Sequence, residues 1–289
     1  MTGTILKYPG SKNKIADKII SIFPDNYRDM TYIEPFFGSG TVFFRKAPSI
    51  IETVNDLNGD IYNFFLQIRE NADEFARLVE NTPWSRREFE EAYVKTDSDI
   101  ENARRFIVRC WFAIGSNNSC RSGWSHNIKD NNGNIAAFCK VPELIREASI
   151  RLRPKPGNCV QIENRDAFEL MEKYNRENVL MYLDPPYVLK TRKNRKMYKF
   201  EFTNDDHVRL CDLANKSSAK IILSGYKNEI YETLLKNFRK TKITAYDEKG
   251  NQRVEILYHN YAAVKELFEE YDEKATNSGL RPPCAAVGK

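Results

Sequence analysis

The chain has 289 residues, 41% of them hydrophobic and 29% charged, which excludes a disordered polymer and supplies one sizeable core plus a smaller appended module. A net charge of +5 leans only mildly toward polyanionic partners. No apolar run approaches the roughly 20 residues that span a bilayer, and the first residues, Met1 to Lys7, lack the basic and apolar regions of a signal peptide, so a soluble cytoplasmic protein is expected.

In chain order, Ile15, Ile19 and Ile22 follow near-helical spacing behind Lys7-Tyr8-Pro9-Gly10-Ser11-Lys12. A β-prone run, Thr31-Tyr32-Ile33-Glu34, leads into Pro35 and Phe36-Phe37-Gly38-Ser39-Gly40. A second run from Ile50 to Val54 ends at Asn55-Asp56, and Ile61, Phe64, Phe65 and Ile68 then mark a helix. Between about Ala72 and Arg153 the signal is mostly helical. Ser85 with Glu88 and Ser98 with Glu101 have capping-box spacing. In the second of these helices Ala103, Ile107, Cys110, Trp111 and Ile114 fall on one face, before the polar stretch from Gly115 to Trp124.

Strand candidates return at residues 159–162, 179–183, 219–223 and 254–258, and Thr203 with Asp206 caps a helix carrying Val208, Cys211 and Ala214. Such alternation predicts a largely parallel sheet covered on both faces. The expected division is a catalytic domain from residues 1–70 and 156–271, a helical insertion at 71–155 and a flexible tail at 272–289. The six cysteines have no zinc spacing, and buried reduced thiols with no metal site are expected. His126, His207 and His259 have no partner at ligand spacing and are read as structural.

Two segments carry chemistry. A strand followed by Gly38-Ser39-Gly40 allows backbone to approach a ligand at the carboxyl edge of an open α/β sheet, with Asp56 placed to accept from a ribose diol. Phe43 stands where the dinucleotide fingerprint needs a third glycine, which counts against hydride transfer. The other segment is Leu183-Asp184-Pro185-Pro186-Tyr187. Its prolines remove two N–H donors and hold the chain extended, so carbonyl oxygens, a carboxylate and a ring can meet an exocyclic amine. A rigid loop with an incidental acid is the structural alternative. After Tyr187 come Lys190, Arg192, Lys193, Arg195, Lys196 and Lys199, a run suited to phosphate contact; Arg121, beside an Asn- and Ser-rich loop, is the candidate for base-edge contact.

These motifs resemble the Dam-like (D12 class) DNA adenine-N6 methyltransferases. The matches are residues Lys7 to Lys12, Glu34-Pro35-Phe36-Phe37-Gly38-Ser39-Gly40, Asn55-Asp56 and Leu183 to Tyr187, with a further likeness from Phe200 to Tyr226. Their order is that of the family's α group. The resemblance implies a class I Rossmann-like methyltransferase fold, with the helical insertion as target-recognition domain and S-adenosylmethionine as methyl donor, without metal. It also implies that Tyr8 and Lys12 contact the donor, that Glu34, Phe36, Gly38 and Gly40 line its pocket, and that Asp56 holds its ribose. Asp166 would meet its adenine amine, and Asp184 would touch both donor and target base. Tyr8 departs from the Dam enzyme, which carries tryptophan there, but a flat ring is kept.

Asp184 and the Pro185 carbonyl would each accept one N6 hydrogen of an adenine flipped from double-stranded DNA, with Pro186 completing the motif and Tyr187 stacking on the base. The protein is read as a monomer of a bacterial or phage-infected cell, with room for a cognate restriction endonuclease on the same site. RNA adenine, cytosine N4 and protein glutamine amide present similar nitrogens and remain alternatives, as does a catalytically decayed DNA-binding module.

Overall fold

The computed structural model describes residues 3–115, 121–126, 133–192, 197–246 and 252–262. The first half runs α1 (Ala16–Ile20), β1 (Thr31–Glu34), α2 (Thr41–Arg45), β2 (Ile51–Asn55) and α3 (Gly59–Glu70). Five helices follow: α4 (Ala72–Glu80), α5 (Arg86–Glu91), α6 (Asp99–Phe112), α7 (Gly133–Phe138) and α8 (Val141–Leu152). The chain then returns to alternation with β3 (Cys159–Glu163), α9 (Ala167–Lys173), β4 (Val179–Leu183), α10 (Asn204–Asn215), β5 (Lys220–Gly225), α11 (Glu229–Leu234), β6 (Arg239–Tyr246) and β7 (Gln252–His259).

The strands form one sheet in the order β3-β2-β1-β4-β5-β7-β6. Strands β1 to β5 are mutually parallel, and β7 runs antiparallel between β5 and β6. Successive strand residues feed opposite layers. Tyr32, Leu180, Tyr182 and Ile222 join the core cluster that contains α1 to α3, whereas Ile33, Met181, Ile221 and Leu223 join the one built with α9 to α11. Burial on both faces explains why these strands read as unbroken apolar runs. Helices α4 to α8 enlarge the first layer rather than forming a core of their own. Phe64 of α3 packs edge-on against Phe75 and Phe106 at 5.7 and 6.0 Å, and the Trp111 indole donates to the Ile5 carbonyl at 3.0 Å.

Helix starts follow the side-chain caps. Thr203 and Asp206 close a reciprocal box on α10. Ser85 and Ser98 also cap their helices, but the Glu88 and Glu101 carboxylates bind Arg104. Two faces differ from expectation. Helix α6 stops at Phe112, Ala113 turns extended to pair with Trp124, and Ile114 is 60% exposed. In α10 the buried set is His207, Leu210, Cys211 and Ala214, with Val208 38% exposed. His207 takes the core position because the Tyr231 hydroxyl meets its Nδ1 at 2.8 Å; burial then lowers its pKa to about 4. His259 is likewise satisfied, by Thr241 and the Tyr261 carbonyl. Cys110 and Cys211 are buried, but Cys139 and Cys159 are exposed, contrary to the expectation for thiols. The edge strand β6 gave no sequence signal, since Arg239-Lys240-Thr241-Lys242 is too polar to read as a strand without its partner β7.

A buried ionic knot joins the insertion to the sheet. Glu52, the second residue of β2 and fully buried, is bonded by the Lys46 ammonium, by two guanidinium nitrogens of Arg151 on α8 (2.5 and 2.7 Å) and by Asn158 (2.9 Å). The Arg151 guanidinium also lies over the Phe43 ring at 4.0 Å. Burial raises the Glu52 pKa, but the bonds and charges from Arg151 and Lys46 outweigh it and hold the carboxyl below its ordinary range.

Candidate active site

A groove of about 890 Å³ opens at the carboxyl ends of the central strands. It lies at the topological switch point, where β1 leads outward to β2 on one side while β4 lies on the other, the place at which open α/β sheets bind ligands. Each of four parallel strands delivers an acid to it: Glu34 ends β1, Asp56 follows β2, Asp166 follows β3 and Asp184 follows β4, and all four line the groove with Tyr8 and Lys12.

The glycine turn shapes one wall. Gly38 and Gly40 have φ of +51° and +67°, and a Cβ on Gly40 would meet Phe37 at 2.6 Å, so both positions require glycine. The Gly38 N–H donates to one oxygen of Asp56 at 2.9 Å, and the Asn58 N–H donates to the other at 2.9 Å. Burial raises the Asp56 pKa to about 6, against the opposing pull of those two donors. Asp166 caps α9 through the Phe168 N–H at 2.8 Å. The Phe168 ring stacks on Phe202, whose edge meets Phe36 at 5.3 Å, and the three rings form an apolar slab beside the acids.

Asp184 sits at the centre. Its Oδ2 is 2.7 Å from the Lys12 ammonium, while Oδ1 is buried with no hydrogen-bond partner among the described residues. Burial, opposed by Lys12 and reinforced by Glu255, raises its pKa to about 6. Lys12 is fixed by the Gly10 carbonyl at 2.8 Å; burial opposes its charge, but Asp184 and Glu255 raise its pKa overall. Glu34 is buried with Oε2 unpartnered among the described residues, and burial raises its carboxyl well above the ordinary value. An electronegative groove with two unsatisfied carboxyl oxygens and an aromatic wall suits a ligand that carries a cation and a planar base.

The expected site residues Tyr8, Lys12, Glu34, Phe36, Gly38, Asp56, Asp166, Asp184 and Pro186 meet in this groove, with Gly40 in the turn behind it. Pro185 is buried. Tyr187 follows Asp184 and the two prolines beside this groove. Its hydroxyl bonds Glu255, Lys12 lies 5.0 Å from its ring centre, and the Tyr226 ring meets it edge-on.

The basic run is corrected at Arg192. Its side chain is only 6% exposed and pairs with Glu201, which also accepts from the Met197 and Tyr198 N–H groups, so this arginine pins the loop instead of facing a phosphate. Lys190 is exposed, Lys199 is about half exposed at 3.7 Å from Asp60, and Lys193, Arg195, Lys196 and the 272–289 tail lie outside the described residues. In the insertion Arg104, Arg105 and Arg109 are held by Glu101, Glu88 and Asp60. Arg121 is 56% exposed, over the Tyr93 ring and 3.9 Å from Glu90. Nearby, Arg86 covers Trp124, whose ring stacks on His126.

Sequence reasoning missed Tyr198, Phe168, Phe202 and Glu255. Tyr198 was hidden among lysines and arginines. Glu255 had a signal: an acid inside an otherwise apolar strand, Val254-Glu255-Ile256-Leu257, is a buried charge in need of partners.

The sheet order, the reversed β7 and the acids at the strand ends define a Rossmann-like α/β methyltransferase. The model of the D12 class N6 adenine-specific DNA methyltransferases matches residues 8–252, and the chain belongs to that family. It is therefore a DNA methyltransferase acting on adenine N6. It is 27% identical over 280 residues to the type II methyltransferase M.MjaIII of Methanocaldococcus jannaschii, covering 88% of this chain and 96% of that protein. It is also 27% identical over 278 residues to the type II methyltransferase M1.LlaDCHI of Lactococcus lactis subsp. cremoris, covering 88% and 94%. Among solved structures, the rRNA methyltransferase aviRa of Streptomyces viridochromogenes aligns over 89% of this chain and 90% of its own, at a TM-score of 0.36 and 14% identity.

Proposed function

We propose that the chain transfers a methyl group from S-adenosylmethionine to N6 of an adenine extruded from duplex DNA within a short recognised sequence. The observation that carries this reading is the buried, unpartnered Oδ1 of Asp184 in the same groove as Gly38 and Asp56. Its donor, S-adenosylmethionine, supplies an electrophilic methyl on a sulfonium. The chain supplies the rest. Asp56 offers carboxylate lone pairs to a ribose diol, with its geometry set by the Gly38 and Asn58 N–H groups. Asp166 and the Phe36, Phe168 and Phe202 rings receive the nucleoside base, and Tyr8, Lys12 and the acidic Glu34 border the remaining space.

At the target base the N6 lone pair is delocalised into the ring and is a weak nucleophile. Asp184 Oδ1 and the Pro185 carbonyl accept hydrogen bonds from its two N–H groups, favouring tetrahedral geometry and a localised lone pair; the carboxylate faces the positive charge that develops there, and one N6 proton is then released past it to water. The type II names of the relatives support a recognition specificity shared with a restriction endonuclease. Residues 71–155 would carry that recognition, with exposed Arg121 and the Trp124 stack as its contacts. We read the protein as a cytoplasmic monomer.

Methylation of plasmid DNA by labelled S-adenosylmethionine, with modified adenines located by sequencing, tests this reading; labelling of RNA or protein but not DNA would overturn it. Asp56→Asn is expected to weaken S-adenosylmethionine binding by about 10-fold, roughly 1.4 kcal/mol, measured by calorimetry. Unchanged affinity would remove Asp56 from the ribose. Replacing Lys193, Arg195 and Lys196 by alanine should flatten the salt dependence of duplex binding, by about 0.9 in log–log slope for each phosphate no longer neutralised. An unaltered slope would put the phosphate track elsewhere.

A further inference from the structure

Glu255 is only 7% exposed, on β7, next to the pair formed by Ile256 with Gly225 of β5. Its Oε1 accepts the Tyr187 hydroxyl and lies 3.5 Å from the Lys12 ammonium. That ammonium is simultaneously 2.7 Å from Asp184 Oδ2 and 5.0 Å from the centre of the Tyr187 ring. Two carboxylates thus share one cation, and the same tyrosine bonds Glu255 and also acts on Asp184. A buried acid among apolar neighbours costs stability unless it is paired, and the partners of this one among the described residues, Tyr187 and Lys12, surround Asp184. Two residues away on the same face of the strand, Arg253 bonds the Tyr226 hydroxyl, and the Tyr226 ring abuts Tyr187 at 4.9 Å, so the scaffold around the tyrosine is continuous.

We propose that Glu255 is a positioning residue for methyl transfer: through the Lys12 ammonium and the Tyr187 phenol it holds Asp184 with one carboxylate oxygen open toward the target amine. This rests on Asp184 being the amine acceptor. Lys12 alone, fully engaged with Asp184, would withdraw charge from the acceptor and leave its carboxylate free to rotate about the pair. Sharing the cation with Glu255 weakens that claim, and fixing the phenol orients the ring that follows the two prolines. The titratable groups facing the cluster are Lys12, Asp184, Tyr187, Tyr182 of β4, Glu34 of β1 and, from the loop above it, Tyr198. Because the Glu255 charge raises the proton affinity of Asp184, its removal eases Asp184 ionisation and moves the acid limb of the rate profile to lower pH.

The test measures single-turnover rates, KM for DNA and for S-adenosylmethionine, and pH profiles for Glu255→Gln, Glu255→Asp, Tyr187→Phe and Asp184→Asn in the full chain. Glu255→Gln is expected to lower kcat about 10- to 100-fold with both KM values within about twofold, and to shift the acid limb downward. Glu255→Asp, which keeps the charge, should leave the limb in place and recover part of kcat. Tyr187→Phe, which keeps every charge and the ring, should cost about 3- to 10-fold in kcat and, by removing a hydrogen bond that lowers the Asp184 pKa, move the limb slightly upward rather than downward. A wild-type kcat and limb in Glu255→Gln, or a loss there that follows weakened S-adenosylmethionine binding, overturns the inference. Should Glu255→Gln fail to fold, a wild-type kcat in Tyr187→Phe overturns it. With Asp184→Asn inactive, either result leaves the acceptor reading standing; an active Asp184→Asn removes the acceptor reading itself.

Discussion

Asp184→Asn is expected to lower the rate of methyl transfer by at least about 10³-fold, roughly 4 kcal/mol of transition-state stabilisation, while duplex binding stays within a few-fold of wild type. The amide keeps the size of the side chain but replaces one acceptor oxygen with a donor. It also removes the negative charge that opposes the positive charge growing on N6. The proposed phosphate contacts lie on other residues, so a gel-shift titration should hardly change. Full activity in this variant would refute the acceptor role. A second readout comes from pH. The Asp184 pKa is raised to about 6 by burial, against Lys12 and with Glu255, and the ionised form is the one that accepts strongly from the amine and opposes the positive charge growing on N6. Methyl transfer in the wild type should therefore fall as pH drops through about 6, provided the fold persists there; a rate flat down to pH 5 would place the essential ionisation elsewhere.

Glu52→Ala is expected to destabilise the protein by about 3–5 kcal/mol, because it leaves Lys46 and Arg151 as uncompensated cations in the interior. Urea denaturation followed by circular dichroism measures this, and a loss under about 1 kcal/mol would mean that water reaches the knot. The pH dependence has a defined sign. The folded carboxyl titrates below its ordinary 4.5, so its contribution is complete above about that pH and is lost as pH falls through the folded value. Since Arg151 belongs to α8 and Glu52 to β2, the same variant should loosen the helical insertion from the sheet, exposing α8 amides to hydrogen exchange before those of β4.

Much of this protein is legible without coordinates because local rules and global fold agree. Runs such as Val179-Leu180-Met181-Tyr182-Leu183 are apolar throughout, as a strand covered on both faces must be. Glycines 38 and 40 stand where left-handed backbone is required. Asp56, Asp166 and Asp184 each follow a strand, which suffices to aim them at one edge once the strands are parallel. Ile114 and Val208 misled because helical periodicity does not record where a helix ends or which of two adjacent faces meets a partner.

The sequence alone determined the strand-helix alternation, the turn glycines and the acids beyond each strand, since these depend on backbone conformation and burial within a few residues. Only the tertiary structure decided the pairings: Lys12 with Asp184 and Glu255, Arg192 with Glu201, and Arg151 with Glu52. Whether a cation meets an internal carboxylate or a phosphate depends on which segments fold against each other, and spacing along the chain does not encode that meeting. A lysine expected to contact the donor therefore proved to pair with Asp184 as well, and an arginine expected to face DNA proved to anchor a loop.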